Sequence, residues 1–251
     1  MQSSNPAFRS SALKEISNRA VGEAAMTVNG TATKTLVLLL ATTVSALMVW
    51  YLNPVAVGEV PDYSRLFPAM LIGGIGGLIV GLATSFKPTW APITAPIYAV
   101  LEGMVLGAVS IIYNAQLRGL PMMAVGATLV TAVLLFAVYR ARLITVTDRM
   151  RSVAGMALFG LLGTYLLQFV LGFFGVNIPF INGNGIIGIG FSLLATGLAA
   201  FFLLLDMDQV ERMVEHGMPK QMEWYGAFSF LVTLVWLYLE MLRLLSKLNR
   251  R

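Results

Sequence analysis

Residues 66–86 read LFPAMLIGGIGGLIVGLATSF, twenty-one residues without a charge, closed by Arg65 before and Lys87 after. About 20 apolar residues, rising ~1.5 Å each, cross the ~30 Å hydrocarbon core of a bilayer. A charge in that layer costs several kcal/mol, so its absence over this length reads as a transmembrane helix. The signature repeats along the chain. No charge lies between Lys34 and Glu59. Lys87 to Arg118 holds only Glu102, and Arg118 to Arg140 again encloses 21 uncharged residues. Arg151 to Asp206 encloses 54, and Glu223 to Arg243 holds only Glu240. The 54-residue stretch has room for two helices, divided at the polar, Gly-rich Asn177–Gly185 segment. The fold class is therefore an all-α integral membrane protein. Its seven helices are expected at roughly 35–52, 66–86, 93–115, 121–140, 153–174, 186–207 and 225–246. The runs are continuously apolar rather than alternating, which excludes a β-barrel. Residues 1–33 read as a polar cytoplasmic N-terminal segment and 34–251 as a single transmembrane domain. The first segment is too long and mixed for a signal peptide.

Composition agrees. Hydrophobic residues make up 57% of the 251 and charged ones 12%, against about 25% charged in a soluble domain. Cysteine is absent and His216 is the single histidine. Thiol chemistry, Cys-ligated zinc and multi-histidine metal sites are excluded. The net charge of +5 comes without a basic run interleaved with aromatics, so nucleic acid is not an expected partner. With the N-terminus inside, 11 Lys and Arg fall on the inner side and 6 on the outer, four of the six in the basic tail Arg243, Lys247, Arg250 and Arg251. This bias predicts a cytoplasmic N-terminus in a plasma membrane. The tail opposes it, so the last helix either crosses regardless or turns back.

Lipid is as apolar as leucine, so close contact rather than burial holds such helices together, and small residues permit it. Gly73, Gly77 and Gly81 form a stripe on the second span and Gly103 with Gly107 on the third; Gly155, Gly160 and Gly163 thin the fifth. These positions are expected to be helix contacts.

Acids within spans need a partner or a purpose. Glu102 lies mid-span in the third helix, Asp206 closes the sixth and Glu240 lies deep in the seventh. Glu240 has Arg243 three residues on and Asp208 has Arg212 four residues on, so in-helix ion pairs account for both. Asp206 and Glu102 have no cation at such a spacing, which favours a functional role. Two buried carboxylates that meet share a proton, because both cannot ionise cheaply side by side. Such a pair would make a pH-responsive cation site, and oxygen ligands suit Ca²⁺ or H⁺. His216 beside Gly217 reads as a helix end.

The chain resembles the Bax inhibitor-1 (transmembrane Bax inhibitor motif) family, in its bacterial YccA-like branch. The likeness is carried by Ser4–Phe8, Met26–Thr35, Tyr98–Ser110, Leu205–Gln209 with Glu215–Gly217, and Leu237–Leu245. The resemblance implies a seven-helix bundle with the last helix central, in a bacterial plasma membrane. It implies a pH-sensitive cation leak, chiefly for Ca²⁺, gated by an acid pair on the sixth and seventh helices. That pair maps to Asp206 and Glu240, which would hold Ca²⁺ transiently; Glu102 and Asp208 are further ion- or proton-gating candidates. The family's channels latch an acid with an arginine in the second span. Residues 66–86 contain none, and Arg65 is the nearest substitute. Asp206 and Glu240 are 34 residues apart. A turn near Gly217–Pro219 leaves Glu240 roughly 15 Å deeper at 1.5 Å per residue, so contact between the two requires a kink.

Two functions remain open. One is the cation leak, with cations and the lipid bilayer as partners and no bound cofactor beyond passing Ca²⁺ or H⁺. The other is a non-transporting scaffold that binds a membrane protein, such as a protease or its regulator. An enzyme is not expected, since the Gly-x-Ser-x-Gly, His-Glu-x-x-His and Gly-x-Gly-Asp motifs are missing.

Overall fold

The computed structural model describes residues 25–56, 58–175 and 183–250. Ser4–Phe8, Arg9, Lys14, Arg19 and residues 177–182, on which the sequence reading also drew, lie outside the described residues. Seven helices long and apolar enough to cross a membrane are present. They are α1 (Val28–Leu52), α2 (Tyr63–Phe86), α3 (Ala91–Gln116), α4 (Leu120–Arg140), α5 (Asp148–Phe173), α6 (Ile186–Glu215) and α7 (Met222–Asn249). A 3₁₀ turn, Pro88–Trp90, leads into α3.

The helix ends follow local chemistry. Thr27 caps α1 by accepting from the Gly30 N–H, which starts the helix seven residues earlier than the charge pattern predicted. Asp62 caps α2 and Thr147 caps α5 in the same way. Gly119, at φ 79°, supplies the left-handed residue from which α4 starts. Helix α6 ends in a Schellman motif. Gly217 has φ 63°, its N–H reaches the Val214 carbonyl, and the Met218 N–H reaches that of Met213. His216 is the residue on which α6 closes, its Nδ1 2.6 Å from the Arg212 carbonyl oxygen. The expected helix end at Asp206 is therefore corrected. The helix runs nine residues further, so Asp206 does not face its terminal carbonyls.

Helix α7 is the core. It packs against α1, α3, α4 and α6, and its Leu231, Leu237 and Leu242 are fully buried. It is one uninterrupted helix of 28 residues, about 42 Å long at the usual rise. At its end Arg250 bonds Gln116 and Lys247 bonds the Gly188 carbonyl. It thus runs the full length of the bundle rather than turning back. Two cations counted with the tail belong to the interior: Arg243 pairs with Glu240, and Lys247 is buried against α6.

Helix α3 is held between two others through glycine. A side chain at Gly73 of α2 would strike the Leu101 carbonyl, and one at Gly81 would come within 3.3 Å of Tyr98. One at Gly103 or Gly107 would strike the backbone of α1 at Thr42 or Ala46. These expected contacts are present. Gly155, Gly160 and Gly163 of α5 have open space where a side chain would be, so they make no close helix contact. Helix α5 lies at the margin and packs mainly on α6. Polar connections join it to the bundle, among them Arg151 to Asp208 and Gln209, and Tyr165 to Glu240 and Arg243. In a bilayer apolar surface alone would not fix such a helix, and polar contacts are what can.

The start of the described chain returns to the other end of α6. Ala25 bridges Pro219, and the Met26 N–H donates to the Met218 carbonyl. The Met26 side chain is buried among Val210, Met213 and Met222. Glu223, 1% exposed, accepts from the Thr27 N–H and hydroxyl and pairs with Lys34.

Candidate functional site: the polar seam between the sixth and seventh helices

Along α7, Ser229, Thr233, Trp236, Glu240, Arg243 and Lys247 recur every three or four residues. Such spacing puts them on one face of a helix. Gly188, Ser192 and Asp206 of α6 meet this face, and so does Tyr165 of α5. A polar seam results, in two halves.

In the half nearer the start of α1, the Ser229 hydroxyl donates to one Asp206 oxygen and the Thr233 hydroxyl to the other, each at 2.6 Å. Tyr225 is the titratable neighbour on α7. Among the described residues no lysine, arginine or histidine pairs with Asp206. In the other half Glu240, 1% exposed, is fully engaged. It accepts from Tyr165 at 2.8 Å, from the Trp236 indole at 3.3 Å, and from Arg243 at 3.0 Å on each oxygen. Arg243 also donates to the Tyr165 hydroxyl and stacks 4.7 Å from its ring centre. Beyond it the Lys247 ammonium donates to the Gly188 carbonyl at 2.9 Å and to the Ser192 hydroxyl at 2.8 Å.

The acids read from sequence thus separate. Asp206 sits beside Ser229 and Thr233, and Glu240 lies seven residues past Thr233, about 10 Å along the axis. They do not share a proton, and one Ca²⁺ cannot be held by both. The α7 positions opposite Asp206 carry hydroxyls, where the resemblance implied a second acid. Asp208 is not poised for gating. It is paired with Arg151 of α5 and, at 2.8 Å, with Arg212. Glu102 stands apart on the α2–α3 interface, one turn after Tyr98 on α3. A side chain at Gly77 would lie 3.2 Å from its carboxylate. Arg65 does not latch an acid within the bundle; it pairs at 3.2 Å with exposed Asp62. The Ser64 hydroxyl, then Arg65, hold that carboxyl below its usual value. Among the described residues no group of three or more His, Asp or Glu side chains gathers to hold a metal.

Sequence reasoning missed Ser229, Thr233, Tyr165 and Lys247 as site residues. The signal was available for α7, in the three-and-four spacing of its polar residues. It was not available for Tyr165, which only the packing of α5 brings to Glu240.

A seven-span α-helical bundle whose central helix carries a polar face against an intramembrane acid defines the class of molecule. The chain belongs to the Bax inhibitor 1 like family, whose model matches residues 5–250. No curated protein and no solved structure matches it.

Proposed function

We propose that this chain is a pH-sensitive cation leak, for Ca²⁺ or another hard cation, in a bacterial plasma membrane with the N-terminus cytoplasmic. Protonation of Asp206 is the gating event. One observation carries the reading: Asp206 lies within the bundle and is held by two hydroxyl donors, and among the described residues no cation pairs with it. Such an acid is expensive in a membrane and is a functional position by default. When ionised it accepts from both Ser229 and Thr233 and so ties α6 to α7. When protonated, it exchanges charge-assisted bonds for weaker neutral ones, one of them reversed in direction, and the hold between the helices weakens. An ionised carboxylate beside two hydroxyl oxygens also offers a passing hard cation the ligands it prefers. The inward turn of Arg243 and Lys247 supports the orientation, because it removes two of the charges that opposed a cytoplasmic N-terminus.

The test is Ca²⁺ flux into liposomes between acidic and neutral pH, comparing the natural chain with Asp206→Asn. The natural chain is expected to change its flux with pH and the variant to lose that change. Equal flux from both proteins at every pH removes the proposal.

The scaffold reading draws on α5. That helix exposes Phe159, Leu166, Phe169 and Phe173 and packs on the rest mainly through α6. A partner helix could pack there. In that case crosslinking from α5 captures a membrane protein while Asp206→Asn is silent.

A further inference from the structure

Between α1 and α4 the bundle is open along its length. The Phe230–Leu234–Tyr238 ridge of α7 forms the floor, with α6 beside it in one half and α3 in the other. The half nearer the start of α1 is a cavity of about 880 Å³ whose rim carries both signs of charge, Arg140 and Arg142 beside Asp208, Glu211 and Glu215. The other half is different. It is a cavity of about 1010 Å³ with apolar walls that include Leu47, Met122 and Val125, and Arg118 stands in its lining at the α3–α4 turn. That volume is at the upper end of the range for small-molecule sites, about 300–1,000 Å³. No acid pairs with Arg118 among the described residues.

The hydroxyls lining this half are already engaged: those of Thr42 and Thr43 on α1 donate to the Leu38 and Leu39 carbonyls of their own helix. Ser110 gives its proton to the Leu106 carbonyl, so the Tyr238 hydroxyl, 2.7 Å away, donates to Ser110. The Asn114 carbonyl accepts from the Gly119 N–H at 2.9 Å, which leaves its N–H₂ free to donate. Trp50 also lines the cavity, and tryptophan favours the headgroup level of a bilayer. One end therefore offers a guanidinium and an amide donor at headgroup depth, and the rest offers apolar wall within the hydrocarbon.

We propose that this half of the α1–α4 groove binds an anionic phospholipid, its acyl chain between α1 and α4 and its phosphate on Arg118. A guanidinium with no acid paired to it among the described residues, set over an apolar slot, matches a ligand with a negative, bidentate oxygen head and long apolar chains, one of them seated in the slot. The opposite half, with acids on its rim, lacks that preference. Because the Tyr238 hydroxyl lies in the groove floor, an occupant touches the same central helix that carries the Asp206 partners.

Native mass spectrometry of the full chain tests this, with phosphatidylglycerol and phosphatidylcholine of identical acyl chains as probes. The natural protein should take up phosphatidylglycerol at about tenfold lower concentration, the scale of one charge-assisted contact. Arg118→Gln, in an exposed turn, should bring the two lipids level. Val125→Trp, which fills the slot from a partly exposed position, should reduce uptake of both. The proposal is overturned if the natural protein takes up both lipids equally, if Arg118→Gln keeps the preference, or if Val125→Trp binds as the natural chain does. It is also overturned if the mass is that of a dimer which Val125→Trp dissolves, since the groove would then seat a second copy.

Discussion

The two halves of the α6–α7 seam hold their acids in opposite ways. Glu240 is gripped by a guanidinium, a phenol and an indole, whereas Asp206 is met only by two hydroxyls. A buried carboxylate bonded to arginine is half of an ion pair, and removing either member strands the other. One bonded to hydroxyls can exchange a proton with no other charge left behind. The first arrangement builds structure, joining α5 to α7 through Tyr165; the second holds the group to which the proposed function assigns the response to pH. Burial alone, the feature legible in sequence, does not separate them.

The largest expected effect comes from breaking the fixed half. Arg243→Gln leaves Glu240 buried and uncompensated and should cost about 3–5 kcal/mol, read as a lower thermal midpoint in detergent. The double variant Glu240→Gln with Arg243→Gln should recover most of that loss, because neither charge is then stranded. The responsive half should behave in reverse. Asp206→Asn keeps an acceptor for one hydroxyl and should change stability by no more than about 1 kcal/mol, while flattening the pH dependence of flux. Glu240→Gln should leave that pH dependence in place. If it flattens the response as Asp206→Asn does, the two halves are not distinct. The smallest effect belongs to Arg65→Gln. Its bond to Asp62 is exposed at the membrane boundary, and no shift in thermal midpoint is expected.

Side is a separate matter, and the chain suits its measurement. With no native cysteine, a single Cys placed at Arg142 and another at Arg118 report directly on accessibility. An impermeant maleimide should label the second and not the first in intact cells.

The sequence made the fold legible because desolvation of charge is a local cost, counted residue by residue. Six gaps in the charge pattern, the longest of them holding two helices, became seven helices, with the widest disagreements at α1 and α6. Both arise from polar residues that continue a helix beyond its apolar run: Asn29, Thr31, Thr33 and Lys34 at one end, Asp208 through Glu215 at the other. The glycines of α2 and α3 were legible because regular spacing marks a flat face. Those of α5 misled, since a glycine face is equally flat with nothing upon it. The Glu240–Arg243 pair was visible, three residues apart in one helix. The partners of Asp206 were not, because Ser229 and Thr233 belong to another helix and only the turn at Gly217 sets their register.

The central position of α7 bears on how the protein is made. Six of the seven helices leave the ribosome before it, yet α1, α3, α4 and α6 all rest on it. Until it arrives, Asp206 and Ser192 face a vacant slot, and Met26 lacks the part of its pocket that Met222 supplies. Assembly therefore cannot proceed helix by helix to completion. The glycine contacts among α1, α2 and α3 do not need α7, but a chain cut short before residue 222 would leave Asp206 and Ser192 without their partners on that helix.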